Sequence, residues 1–443
     1  MAVVVLPTPL QARAGGVERV PVEGATAGEA LRALESRHPE LRGWILDERG
    51  RVRQHVSLFV GDSRAGTDRA IDGDEELWVV QAISGGMAEA EVLVGTKKGL
   101  LVLRGPRGGS LRAVHRAFPG QVVEYAMRDR RSGKYLAAVT HGQFGPHLYH
   151  ADDPTGEWQE AQGPAFPESA DSSVSRIWVI EPGAADGELW AGVAPAALFH
   201  SRDGGASWEL NRALWDHPTR ARWEGGLGGL CLHSICPWPG DPQRLAVGIS
   251  AAGVWLTEDG GVSWSRGVEG LVPPYLPEEA RQDTLQHCIH KMRRSPVEPE
   301  TLYMQYHGGV YRSDDAGSSW NDIGVANGLP SQFGFPLAIH PRDPERAWVI
   351  PLVADVDRVP PDGRLAVWET ADRGASWTAR GDGLPSEGAY LTVLRQAFCD
   401  DGADPLGLWF GAESGAVFGS VDAGASWFLA AEHLPKVNSV HAS

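Results

Sequence analysis

Cysteine is scarce: Cys231, Cys236, Cys288 and Cys399 are the four in a chain of 443 residues. Four thiols are too few to staple so long a chain, so reduced cysteines and a cytoplasmic location are expected. Long apolar runs are missing as well. No stretch of about 18 apolar residues occurs, and the opening MAVVVLPTPL lacks a basic start and is broken by Pro7 and Pro9. A membrane-spanning helix and a secretory leader are therefore not expected. Positive charge is in deficit, with 40 Lys and Arg against 57 Asp and Glu and a formal net charge of −17. Such a field repels phosphate backbones and anionic headgroups, which argues against nucleic acid and membrane surfaces as partners. What the chain does have is 55 Gly, 31 Pro and 17 Trp, a composition of many turns with a recurrent job for tryptophan.

The sequence divides near Ser84 to Glu91. Residues 1–86 contain no lysine and one helical pattern. They read as strand (Val3 to Leu6), strand (Arg19 to Val22), helix, strand (Val56 to Val60) and strand (Glu76 to Ala82). Thr26 followed by Glu29 is a capping box, the apolar face runs through Leu31 and Leu34, and Pro39 stops the helix. A hairpin, a crossing helix and further strands is the β-grasp order. The stretch IDGDEELWVVQAISGG, Ile71 to Gly86, resembles the end of the ubiquitin-like sulfur carriers of the ThiS/MoaD group. Gly73, Asp74 and Glu75 match that family's turn before the last strand, and Gly85 and Gly86 match its tail. The resemblance implies a tail whose freed carboxylate is adenylated by an E1-like activating enzyme and converted to a thiocarboxylate. Only side-chain-free residues thread a narrow activating channel without steric cost. Met87 follows Gly86 directly, so a carrier role requires a processing protease.

Residues 87–443 repeat. SRDGGASW (201–208), TEDGGVSW (257–264), SDDAGSSW (313–320), TADRGASW (370–377) and SVDAGASW (420–427) are copies of one octet, and their tryptophans lie 56, 56, 57 and 50 residues apart. A period near 50 filled with short strands predicts β-propeller blades. The octets resemble the Asp-box of BNR, sialidase-like repeats. In that family the box turns between the third and fourth strands of a blade, which gives Asp203, Asp259, Asp315, Asp372 and Asp422 a structural role: the carboxylate accepts turn amides, glycine permits positive φ and tryptophan packs between sheets. Two degenerate copies upstream bring the count to seven blades, and LPKVNSVHAS reads as an innermost strand that closes the ring against the first. The expected fold is mainly β: a small α+β β-grasp domain, 1–86, followed by a seven-bladed propeller, 87–443.

Function is expected on the propeller face that carries the turns between strands two and three and the long inter-blade loops. Lys98, His141, His307 and Glu413 occupy such turns, and Glu124, Arg176, His233 and His290 fall at the same level of the inner strands. This ring of mixed charge suits a small polar or anionic ligand or a protein. Aligning neighbouring inner strands places Cys231 on Cys288 and His233 on His290. Because residues i and i+2 share a strand face, the four form a candidate Cys2His2 set for zinc. A cytoplasmic binding or assembly propeller coupled to a sulfur-carrier-like module is the reading that follows. A sialidase-like glycoside hydrolase and a metal-dependent enzyme on the same face are its alternatives. The sialidase motif before the first box is Arg-Ile-Pro in that family, where this chain has Arg176-Ile177-Trp178, and no motif places Arg293 or Arg395.

Overall fold

The Thr26 side chain accepts the amide of Glu29 while the Glu29 carboxylate accepts the amide of Ala25 at 2.8 Å. This reciprocal cap starts the helix Ala27–Arg37, whose Ala27, Ala30, Leu31 and Leu34 are buried. The computed structural model describes residues 2–47, 50–53, 56–61, 63–71, 75–81, 89–282 and 284–443, in two compact units, Met1–Ala88 and Glu89–Ser443. In the first unit, Ala2–Val5 pairs antiparallel with Arg19–Val22 and parallel with Glu76–Gln81, which pairs antiparallel with Val56–Val60. The short strand Ser63–Ala65, unanticipated from the sequence, completes a five-stranded sheet. The helix packs on this sheet around Val4, Val20, Leu58 and Leu77. This is β-grasp topology. Gly73, Asp74, Gly85 and Gly86 lie outside the described residues.

The second unit is a seven-bladed propeller. Five sheets have four strands each, and an eight-stranded sheet holds blades 1 and 7. Blade 1 takes its innermost strand, Val437–Ala442, from the far end of the chain. It pairs antiparallel with Glu89–Thr96, and Val437 and Val440 are buried there. The innermost strands of blades 2 to 7 are Val122–Arg128, Arg176–Pro182, Cys231–Trp238, Ile289–Arg294, Phe333–Ile339 and Val393–Asp400.

Each octet closes the turn between the third and fourth strands of blades 3 to 7. In the first, Asp203 accepts the Ser207 amide at 2.9 Å and both the Ser201 and Ser207 hydroxyls. Gly205 sits at φ 91° with its amide on the Ser201 oxygen. These donors, the Ser207 hydroxyl first, hold the Asp203 carboxylate down at about 2. Three of the five octet tryptophans tie a blade to its predecessor: Trp264 Nε1 donates to Asn211, Trp320 Nε1 to the carbonyl of Gly267 at 3.0 Å, and Trp377 Nε1 to that of Ile323 at 2.5 Å.

The inner strands are not regular. In five blades a single residue is passed over, at Glu124, Trp178, His233, His290 and Asn438, and the inner strands of blades 6 and 7 shift register as well. A bulge removes a residue from the ladder and re-aims its side chain. Three of the five re-aimed groups satisfy the backbone of the next blade: Asn438 Nδ2 donates to the Val123 carbonyl at 3.0 Å, His233 Nε2 lies 2.9 Å from the Ile289 carbonyl, and His290 Nδ1 lies 2.6 Å from that of Gly334.

Candidate functional site

Cys231, His233, Cys288 and His290, the expected four-ligand set, are not all engaged alike. Both histidines stand at register slips, so neither keeps simple i, i+2 alternation with its cysteine. His233 is fully buried, with Nε2 on the Ile289 carbonyl and Nδ1 beside the Ser234 hydroxyl. Neither nitrogen is left to coordinate. Cys231 is buried too, and desolvation pushes its thiol up to about 11.

A different set converges. Among the described residues, Cys288, His290 and His307 each present one donor atom within 4.8 Å of the others. The scaffold holds them by backbone. The Cys288 amide donates to the Tyr275 hydroxyl at 2.9 Å, and the His307 amide donates to the Cys288 carbonyl at 3.0 Å. The His290 ring packs on Phe335 with centroids 4.8 Å apart, and the His307 ring meets Tyr275 at 4.6 Å. Burial, with the Arg395 charge adding to it, keeps the His290 imidazole well below its ordinary value and therefore neutral.

These three residues line a cavity of about 280 Å³ together with Tyr275, Asp355, Arg358 and Arg395. The lining comes from inner strands, from the His307 turn and from the inter-blade loops. Asp355 and Arg358 belong to the connection between Ala347–Leu352 and Val367–Thr370 in blade 6, which has no counterpart in the other repeats. Arg358 and Arg395 lie over Phe335 at 5.1 and 4.8 Å from its centroid. Among the described residues neither guanidinium forms an ion pair, and Arg395 Nε is buried without a hydrogen-bond partner. The cavity carboxylates are engaged elsewhere: Glu224 accepts from Gln286 at 3.1 Å, and Asp355 stands 3.8 Å from His307 Nε2.

A second cavity, about 310 Å³, lies where the inner strands end and includes Arg130, Glu181, Arg293 and Asp400. Size does not separate the two; charge pairing does. Arg293 meets Glu181 at 3.4 Å and Arg130 meets Asp400 at 3.9 Å, so these cations already have counter-ions.

Of the expected face residues, His290 and His307 reach the cavity. Glu124 and Arg176 pair with each other at 3.3 Å. His141 Nε2 lies 3.0 Å from the Tyr149 hydroxyl, Glu413 is ion-paired with Lys436, and Lys98 is exposed in its turn. None of these five lines the cavity. Sequence reasoning missed Tyr275, Asp355 and Arg358; the one signal was the extra length between Arg346 and Thr370.

No family model matches the chain. An oligoxyloglucan-reducing end-specific xyloglucanase of Emericella nidulans is 25% identical over 221 residues, 43% of this chain. The chain spans a quarter of that relative's length. Among solved structures, an ancestral GH74 enzyme aligns over 80% of this chain and 40% of its own, at 14% identity and TM-score 0.46. SAMP1 from Haloferax volcanii aligns over 19% of this chain and 98% of its own, at 32% identity and TM-score 0.18. No helix among the described residues is long and apolar enough to cross a membrane.

Proposed function

We propose that the propeller recognises a small anionic molecule in the cavity lined by blades 4 to 7, and that the β-grasp unit serves as a sulfur-carrier-like module. The observation that carries the first half is the pair Arg358 and Arg395, two guanidiniums on one cavity with no ion-pair partner among the described residues. Arg395 is partly buried and Arg358 is exposed at the cavity rim with its Nε on the Asp355 carbonyl; a partly buried cation without a counter-ion is costly, and a carboxylate or phosphate matches the guanidinium fork. Leu227, on the same cavity and 86% exposed, adds an apolar edge suited to a ligand with a hydrocarbon part. Calorimetric titration of the full chain with inorganic phosphate, sulfate and short dicarboxylates tests this. One of them binds at one per chain and weakens at least tenfold in Arg395→Gln and Arg358→Gln. No saturable binding, or equal binding by the variants, refutes it.

The carrier half rests on the β-grasp topology of the first unit and on Gly85 and Gly86 just beyond its last strand. Its partners would be a processing protease and an E1-like activating enzyme in the cytoplasm. The intact mass of the protein from its native source decides the matter. A fragment ending at Gly86, heavier by one oxygen-to-sulfur exchange, establishes a carrier precursor, and a chain recovered only uncut removes the transfer role. Glycoside hydrolysis is the second reading, favoured by the xyloglucanase alignment and by the carboxylates Glu224 and Asp355 on one cavity. Release of reducing sugar from xyloglucan oligosaccharides, abolished in Asp355→Asn, is its test.

A further inference from the structure

We propose that Cys288, His290 and His307 are the three protein ligands of a single zinc ion whose fourth position opens into the cavity. This goes beyond the anion reading and does not rest on it.

The donor chemistry comes first. One thiolate and two neutral imidazoles suit a borderline divalent ion, and three protein ligands with one open position is the arrangement of exchangeable zinc sites, where structural sites close with four. The distances agree. Donor atoms on a tetrahedral zinc lie roughly 3.3–3.6 Å apart given bond lengths near 2.0–2.3 Å. The three donors, within 4.8 Å of one another, therefore need to close by about an ångström, which side-chain torsions supply.

The surroundings are those of a prepared site. His290 gives its Nδ1–H to the Gly334 carbonyl at 2.6 Å, which fixes the tautomer and leaves the Nε2 lone pair for a metal. His307 has the Asp355 carboxylate 3.8 Å from Nε2, the acidic outer partner that metal-bound imidazoles commonly keep. The Tyr275 hydroxyl and the Cys288 carbonyl hold the backbones of Cys288 and His307, so two ligands from separate segments are tied together before any ion arrives. His290, at the register slip of its strand, has its donor atom within 4.8 Å of theirs. Binding replaces the Cys288 S–H bond with a sulfur–zinc bond and releases that proton to solvent.

The test uses the full reduced chain, stripped by a chelator, desalted, and titrated with Zn²⁺ against a competing fluorescent indicator. We expect one zinc per chain. Cys288→Ser, His290→Gln and His307→Gln each weaken binding at least tenfold, and Cys231→Ser binds as the parent does. Cobalt(II) reports the bond directly: a thiolate-to-cobalt charge-transfer band is present in the parent and in Cys231→Ser and lost in Cys288→Ser, with the urea midpoint of each variant showing that it is folded. Arg395→Gln retains zinc, which separates this site from the anion reading. Absence of saturable zinc binding, binding indifferent to all three ligand substitutions, or equal loss in Cys231→Ser overturns the proposal.

Discussion

The hydroxyl of Tyr275 accepts the amide of Cys288 at 2.9 Å and lies 2.7 Å from the carbonyl of Gln286, so one side chain of an inter-blade loop replaces two backbone partners at the mouth of blade 5. The same oxygen lies 2.9 Å from the Tyr306 hydroxyl. Tyr275→Phe leaves the Cys288 amide and the Gln286 carbonyl to water. The expected cost is about 0.5–1.5 kcal/mol in urea unfolding, with faster hydrogen exchange at the Cys288 amide. Unchanged exchange there would show that the hydroxyl does not hold the loop.

His233 bridges blades 4 and 5 through the Ile289 carbonyl. His233→Leu leaves that carbonyl unpaired in the interior and is expected to lower stability by about 1–3 kcal/mol, whereas zinc stoichiometry stays at the parent value. A variant that loses metal with no change in its urea midpoint would contradict the structural role.

The octet aspartates set an acid limit. Asp203 and Asp259 titrate at about 2 in the folded chain, chiefly because Ser207 and Ser263 donate to them, and Asp315, Asp372 and Asp422 are lowered in the same direction. A carboxylate whose folded value is depressed contributes stability above its unfolded value, near 3.8, and loses it as pH falls toward the folded value. Thermal midpoints should therefore drop between about pH 4 and pH 2. Asp→Asn substitution at several octets should lower the midpoint at neutral pH and flatten the fall. A parent midpoint that is level across this window would refute the account.

Thr26→Ala removes half of the reciprocal cap on the helix Ala27–Arg37 and should cost the β-grasp unit about 1 kcal/mol, read from the unfolding of that unit. Thr26→Ser should restore most of it.

Deleting residues 437–443 strips the inner strand from blade 1. Val437 and Val440 alone bury about 3–6 kcal/mol of apolar stabilisation, and the Glu89–Thr96 edge is left open for pairing with other chains. Aggregation on expression is the expected outcome, relieved by a peptide of residues 435–443 added in trans. A truncated chain that stays monomeric with the parent midpoint would show that the strand is dispensable.

The blades were legible because the octet places the same turn in five of the seven repeats, where Asp and Gly fix its geometry locally. The closing strand was legible because the first repeat is one strand short and the last residues supply it. The β-grasp order followed from the Thr26 and Glu29 cap and from alternation in the strands. The cavity was only half legible. His290 and His307 stand in repeated positions, but Asp355 and Arg358 come from a segment without a counterpart, and Tyr275 acts from a loop through its hydroxyl. The hydrogen bonds that engage His233 lay beyond what alternation reveals: a one-residue slip in an inner strand leaves the sequence pattern intact while re-aiming the side chain.

The strand Val437–Ala442 also governs timing. A ribosome making this chain exposes the partner edge Glu89–Thr96 first and the strand that covers it last. Until then the inner blades have no fixed circumference, and the loop to be closed is nearly the whole unit, an entropic cost met in one late step. Closure of the ring thus waits for the strand Val437–Ala442, and the arc made before it is the form that a chaperone would need to shelter.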